Sequence, residues 1–444
     1  MKRILVTLLF SLGVEGANAG IITGTIRSFE SGDPVPAATI RVEGTGRSML
    51  ANDCGRYRLV LEPGSYRLKF SHVTHHPEYR EVYVSDVEMT LDVTLREAVI
   101  NLPGVRVYDR AYNPAERIIL EAIARKQEIL AQLYSYQCNA YAKMVVRNEG
   151  KNDSTAIDYI LESQLECFWE QPDKYKEVIV TRRQSSNLKA TRNLLNIENI
   201  PNFNMNRVRL NQYSIISPTA TDALKYYNYY LMDTIFIDNQ MVFRLEVEPK
   251  NETDPLVVGT IDIADSTFNV VGVEGGLGAG VYLPYVKDLH YSQRFDEFEG
   301  RYWMPIEIHI DYAVAVTFPI EQSWAFDYVA ALHDYNFNSS LPEGAFDYAL
   351  EVAEEADDID SVTWNSRQVI PLTPVEQRGY KRIDSLVNAP KPLYKQVLSA
   401  LRFLYQSTAN YDLFHFNRVE GAYLGIGHYW FEPLPHTVLD IKTG

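Results

Sequence analysis

Alternation of apolar and polar residues organises most of this chain. Between residues 21 and 95 it comes in short bursts, at 21–26, 38–42, 57–61, 66–70, 79–85 and 89–95, each bounded by turn formers. Gly32-Asp33-Pro34-Val35-Pro36, Asn52-Asp53-Cys54-Gly55 and Pro63-Gly64 supply the turns, and Gly55 is free to take a positive φ. About six or seven short strands at this spacing predict a β-sandwich. The period then changes. Asn113 as N-cap and Pro114 at the first helical position open a helix, with Ile118, Ile119, Ala122, Ile123, Ile129, Leu130 and Leu133 on one stripe.

Period two returns in longer runs at 134–146, 157–169, 176–181, 229–237, 241–249, 257–264, 267–274, 289–295, 304–312 and 323–329. Short turns such as Ala264-Asp265-Ser266 join consecutive runs, so they predict an antiparallel meander. Residues 182–211, rich in Asn, Arg and Leu, interrupt it as a short helix or a loop lid. Residues 351–360 read as an acidic, exposed linker. Thr373 and Glu376 then make a capping box with Pro374 at the first helical position, giving a helix to residue 387. Leu393, Val397, Leu398, Leu401, Leu404 and Tyr405 stripe a second amphipathic helix over 391–406. Two helices placed there lie at a membrane surface or plug a barrel mouth.

The last runs, 423–430 and 437–442, alternate bulky with small residues and carry an aromatic rim, the way a transmembrane β-barrel begins. Two strands close no barrel, and an open edge has no place in lipid. The chain therefore reads as truncated at the barrel start, or as completed by a partner. The expected class is mainly β: a signal peptide over 1–19, a Greek-key β-sandwich over 20–100 and an α+β domain on a curved antiparallel sheet over 109–350. The acidic linker and two helices follow over 351–409, and the first barrel hairpin over 410–444.

Composition narrows the setting. Thirty Tyr against five Trp suits half-buried pleated faces. A formal charge of −16 leaves no basic surplus for phosphates, which argues against nucleic acid. Lys2 and Arg3, the apolar run 4–14 and Ala17-Asn18-Ala19 form a secretory signal, so the mature chain begins near Gly20 in the cell envelope. No cysteine follows the apolar run, which excludes lipid anchoring at a lipobox.

Candidate chemistry is sparse. Cys138 and Cys167 fall on the apolar faces of two paired strands, roughly opposite each other, and read either as buried thiols or as a disulfide. His72, His75, His76 and Glu78 carry metal-ligand chemistry but lie around Pro77 in a loop, without helical spacing, and read as solvated histidines. Gly272 to Gly280 hold five glycines, yet Val281-Tyr282-Leu283-Pro284 follows where a phosphate loop needs a helix, so they read as a hairpin loop and no nucleotide is expected. The sequence has no His-Glu-x-x-His and no Gly-x-Ser-x-Gly, so no catalytic, cofactor or metal residue is assigned.

Three resemblances add to this reading. Gly32-Asp33-Pro34-Val35-Pro36-Ala37-Ala38, Val42-Glu43-Gly44-Thr45, Asn52-Asp53-Cys54-Gly55-Arg56-Tyr57 and Pro63-Gly64-Ser65-Tyr66 resemble the carboxypeptidase-regulatory-like domain, a transthyretin-like sandwich that implies no peptidase. Val258-Gly259-Thr260-Ile261-Asp262-Ile263 with Thr267-Phe268-Asn269-Val270-Val271 is similar to the curved sheets of periplasmic lipoprotein carriers. Tyr112-Asn113-Pro114, Ser217-Pro218, Asp233-Thr234, Pro371-Leu372-Thr373 and Phe416-Asn417-Arg418-Val419-Glu420-Gly421, in that order, resemble a Gram-negative outer-membrane family of unknown function whose members end in a barrel. The resemblance implies a non-enzymatic envelope protein at the periplasmic face of the outer membrane, whose modules bind or position an envelope protein or lipid partner. The alternatives are a lipid or lipoprotein carrier and, by domain association alone, a hydrolase.

Overall fold

The structure is a computed structural model that describes residues 19–98, 113–149, 157–388 with short internal omissions, and 414–417 with 421–424. The signal segment, the 391–406 helix and the strand at 437–442 lie outside the described residues. Two compact units divide the chain after Asp384.

The first unit begins with the sandwich. Its strands are β1 (Gly20–Ser28), β2 (Thr39–Val42), β3 (Ser48–Leu50), β4 (Arg56–Leu61), β5 (Gly64–His72), β6 (His75–Val84), β7 (Met89–Thr90) and β8 (Val93–Leu95). One sheet runs β4-β1-β7 with β8 also on β1; the other runs β3-β2-β5-β6. Alternation sends Ile22, Ile26, Ile40, Val42, Leu59, Leu68 and Phe70 inward to full burial. Gly55 holds its turn at φ 68.

Helix α1 (Pro114–Ala131) starts as its sequence predicts, with Asn113 Oδ1 accepting from the Ala115 N–H at 3.0 Å. It is followed by β9 (Ser135–Asn148), β10 (Ile157–Glu170), β11 (Lys174–Gln184), the small hairpin β12 (Arg207–Leu210) and β13 (Tyr213–Ile216), then β14 (Tyr227–Ile237), β15 (Gln240–Pro249), β16 (Val257–Ala264), β17 (Val270–Leu277), β18 (Val286–Phe298), β19 (Tyr302–Val316), β20 (Gln322–Phe337) and β21 (Leu350–Val352). Eleven of these strands make one sheet, β14-β15-β16-β17-β18-β19-β20-β9-β10-β11-β21. Every long strand contributes to a single core with α1. Laid flat, such a sheet is about 50 Å wide, whereas an 18-residue helix is about 27 Å long. Helix α1 therefore spans only part of the sheet's width, and it packs chiefly against β14.

Side-chain parity separates the two faces. On β9, Cys138, Ala140 and Ala142 face the core inside, while Tyr141, Lys143 and Val145 face out. The sandwich covers part of the outer face. Arg41 pairs with Asp296 at 2.7 Å, and Arg294 donates to the Ala37 carbonyl (2.9 Å) and Thr39 Oγ1 (2.6 Å). Helix α2 (Pro374–Asn388) covers another part, with Tyr380 and Ile383 buried against Val145, Ile157 and Ile160. The expected capping box is formed: the Thr373 N–H donates to Glu376 Oε2 (2.7 Å), and the Glu376 N–H to Thr373 Oγ1 (3.2 Å). The start of α2 is fastened to the sheet. Lys143 Nζ meets Glu376 at 2.7 Å with both side chains buried, and Tyr380 and Tyr141 donate to the fully buried Glu162 at 2.8 and 2.5 Å.

In the second unit, β22 (Phe414–Asn417) pairs antiparallel with β23 (Gly421–Leu424). Among the described residues no closed barrel is present; the strand expected over 423–430 is described only as far as Leu424.

Candidate ligand-binding site

The inner face of the sheet is not completely filled. Between β15–β19 and the hairpin β12–β13 lies a cavity of 310 Å³, lined on the hairpin side by Val208, Leu210, Ile215 and Pro218. Val247, Val257, Val273, Leu277, Leu289, Ile310 and Tyr312 line the sheet side, so the wall is almost wholly hydrocarbon. The one lining carboxylate, Glu274, is 59% exposed and engages His290 at 3.3 Å.

Glycine makes the floor. Gly259 and Gly275 are register partners on β16 and β17. Gly259 has φ +151, and a Cβ there would lie 2.1 Å from the Glu274 carbonyl oxygen; one on Gly275 would lie 2.0 Å from that of Val258. Only glycine lets the two strands meet in this way, so bare backbone faces the cavity. This corrects the hairpin-loop reading of Gly272 to Gly280. Gly272, Gly275 and Gly276 belong to β17 itself, and the connection begins at Gly278. Close approach of two strands demands Gly259 and Gly275, while Gly278 and Gly280 lie in the connection.

The hairpin is seated from below. Tyr227 and Tyr229, fully buried on β14, donate to the carbonyls of Ile216 (2.5 Å) and Pro218 (2.6 Å). Burial keeps both phenols protonated well above the ordinary tyrosine range. Lys126 on α1 reaches the same segment, donating to the Thr219 carbonyl (2.6 Å), Thr219 Oγ1 (3.1 Å) and Asn206 Oδ1 (3.4 Å). Its surroundings are neutral acceptors, and burial pulls the amine down to about 8.

The rim carries aromatics. Leu283 and Val286 line the cavity from the connection 278–285 and the start of β18, while Tyr282 and Tyr285 beside them are 71% and 64% exposed. The wall thus reaches the surface at this connection.

Cys138 and Cys167 stand opposite each other in the β9–β10 register, both buried and both free thiols. Their hydrogen bond, then burial, raises the Cys167 thiol well above its ordinary value, with the fully buried Glu177 adding to the effect. A second, polar cleft of 750 Å³ between the sandwich and the sheet includes Arg47, Arg58, Glu166 and His333.

Of the histidines predicted as solvated, His76 is exposed, but His72 and His75 are not. His72 ends β5 and His75 begins β6, with Nδ1 atoms 3.2 Å apart; His75 is buried, and burial pushes His72 down to about 3. A tight hairpin between two long strands holds them, where the sequence suggested an open loop. Among the described residues no three His, Cys, Asp or Glu side chains gather at metal-binding distance.

Residues 118–335 match a family of unknown function, DUF5686, and residues 21–96 match the carboxypeptidase regulatory-like domain. No curated protein matches the chain. Among solved structures, a DUF1329 family protein from Desulfovibrio piger is 12% identical with a TM-score of 0.26, covering 53% of this chain and 98% of that one. A domain named for outer-membrane lipoprotein sorting from Vibrio parahaemolyticus is 13% identical, with a TM-score of 0.25 over 51% of this chain and 97% of its own. A LolA superfamily protein from Nitrosomonas europaea is 15% identical, with a TM-score of 0.22 over 52% and 96%.

Proposed function

We propose that this chain is a non-enzymatic cell-envelope protein that binds the hydrocarbon part of a lipid in the cavity between the large sheet and the β12–β13 hairpin. One observation carries the reading: an apolar cavity whose floor two glycines keep free of side chains. At 310 Å³ it stands at the low end of ligand pockets, which run from about 300 to about 1,000 Å³. Export rests on Lys2, Arg3 and the apolar run that follows. The sandwich and α2 occupy the outer face of the sheet, leaving the inner cavity unobstructed, which suits a binding module carried on an envelope scaffold.

The test is native mass spectrometry of the full chain purified from envelope extracts, beside a Leu289→Trp variant whose indole fills the cavity. The wild type is expected to retain lipid, and the variant to lose it while keeping its far-ultraviolet spectrum. A wild type that neither retains lipid nor binds an added fatty acid overturns the proposal.

A further inference from the structure

Two hydrogen bonds cross the rim of the cavity. Tyr213 Oη on the hairpin donates to the Tyr282 carbonyl at 3.2 Å and accepts from the Tyr282 N–H at 3.1 Å. Both lie at exposed positions, where water competes for the same groups. The connection they fasten joins β18 through backbone that side chains disfavour: Tyr285 has φ 66 and Asp288 φ 52. Backbone hydrogen bonds anchor the ends of the connection, from the Gly278 N–H to the Leu256 carbonyl (2.8 Å) and from the Ala315 N–H to the Tyr285 carbonyl (2.9 Å), so the stretch around Tyr282, held to the hairpin by two solvent-facing hydrogen bonds, opens at little cost. Behind it the wall is almost wholly hydrocarbon, with Thr260, Tyr291 and Tyr312 its uncharged polar residues and Glu274 turned to water. A charged head group would lose its hydration there without compensation.

We infer that the Tyr213–Tyr282 contact is a gate through which a single acyl chain enters tail first, its charged head remaining outside beside the exposed tyrosines. The inference rests on the lipid-binding reading and adds to it an orientation, a ligand class and a residue that controls entry. A single-chain amphiphile fits both the volume and the uncharged interior. Tyr213 acts through the rim and touches no reacting group; it is a gating residue.

Two fatty acids test the gate on the full chain, one with an environment-sensitive dye at the carboxyl end and one with the dye at the methyl end. The head-labelled chain is expected to bind with its dye in a water-like environment, and the tail-labelled chain to be excluded. Tyr213→Phe keeps the ring and removes both hydrogen bonds, so association and dissociation of the head-labelled chain should each quicken about tenfold. Equal affinity for the two probes, or unchanged rates in Tyr213→Phe with the wild type binding normally, overturns the gate alone. Failure of the wild type to bind either probe, with no lipid retained on purification, overturns the gate and the lipid reading together.

Discussion

Replacing Lys126 by methionine tests how the cavity hairpin is anchored. The amine is buried among the Thr219 carbonyl, Thr219 Oγ1 and Asn206, with no carboxylate in contact among the described residues, and its affinity for a proton falls from 10.5 to about 8. Between those values the unfolded chain holds a proton that the folded chain lacks, so stability rises with pH across this window and stays flat below it. The difference is 10.5 − 8, or 2.5, and at about 1.4 kcal/mol for each unit the full rise is about 3 kcal/mol. The methionine variant has no such proton. Its absolute stability also reflects lost hydrogen bonds to Thr219, costing about 1–3 kcal/mol, so the slope is diagnostic and the offset is not. Urea unfolding of both chains between about pH 7 and about pH 10 should show the wild type gaining about 2–3 kcal/mol on the variant. Parallel curves would refute the reasoning, because they would mean that Lys126 keeps its ordinary proton affinity in the fold.

Two further perturbations address the outer face and the thiols. Lys143→Met leaves Glu376 buried without its cation and should cost about 3–5 kcal/mol in urea unfolding, most of it regained in Lys143→Met with Glu376→Gln; equal losses in the single and double variants would contradict this. We propose that Cys138 and Cys167 form a disulfide when an added oxidant accepts their two electrons and two protons, because cross-strand partners have Cα atoms about 4.5 or 5.5 Å apart, within disulfide range. After such treatment, denatured chain should present only Cys54 to a thiol reagent, and reactivity of all three cysteines would exclude the bond.

Much of this architecture is legible locally. The caps of α1 and α2 and the alternation of the sandwich strands are decided within a few residues, so Asn113, Pro114, Thr373 and Glu376 announce their roles. The opposition of Cys138 and Cys167 followed from parity across one hairpin. The cavity is of another kind. It depends on Gly259 meeting Gly275 across two strands and on β12–β13 folding back over them; β12 falls in the stretch 182–211 read from sequence as a short helix or a loop lid, and β13 lies beyond it. The second role of Glu376, as partner of Lys143, joins residues far apart in the chain and leaves no periodic trace. Long-range contact decided these features, and periodicity carries no record of it.

The glycine floor also bears on how this protein can change. Every substitution at Gly259 or Gly275 adds a Cβ, and each would strike the neighbouring strand's backbone, which has no rotamer to yield. Those two floor positions are closed to gradual variation. Val208, Leu210 and Ile215 on the opposing hairpin can lengthen, shorten or branch within ordinary strand geometry. Descendants of this chain would diverge in ligand preference by editing the roof over an immovable floor.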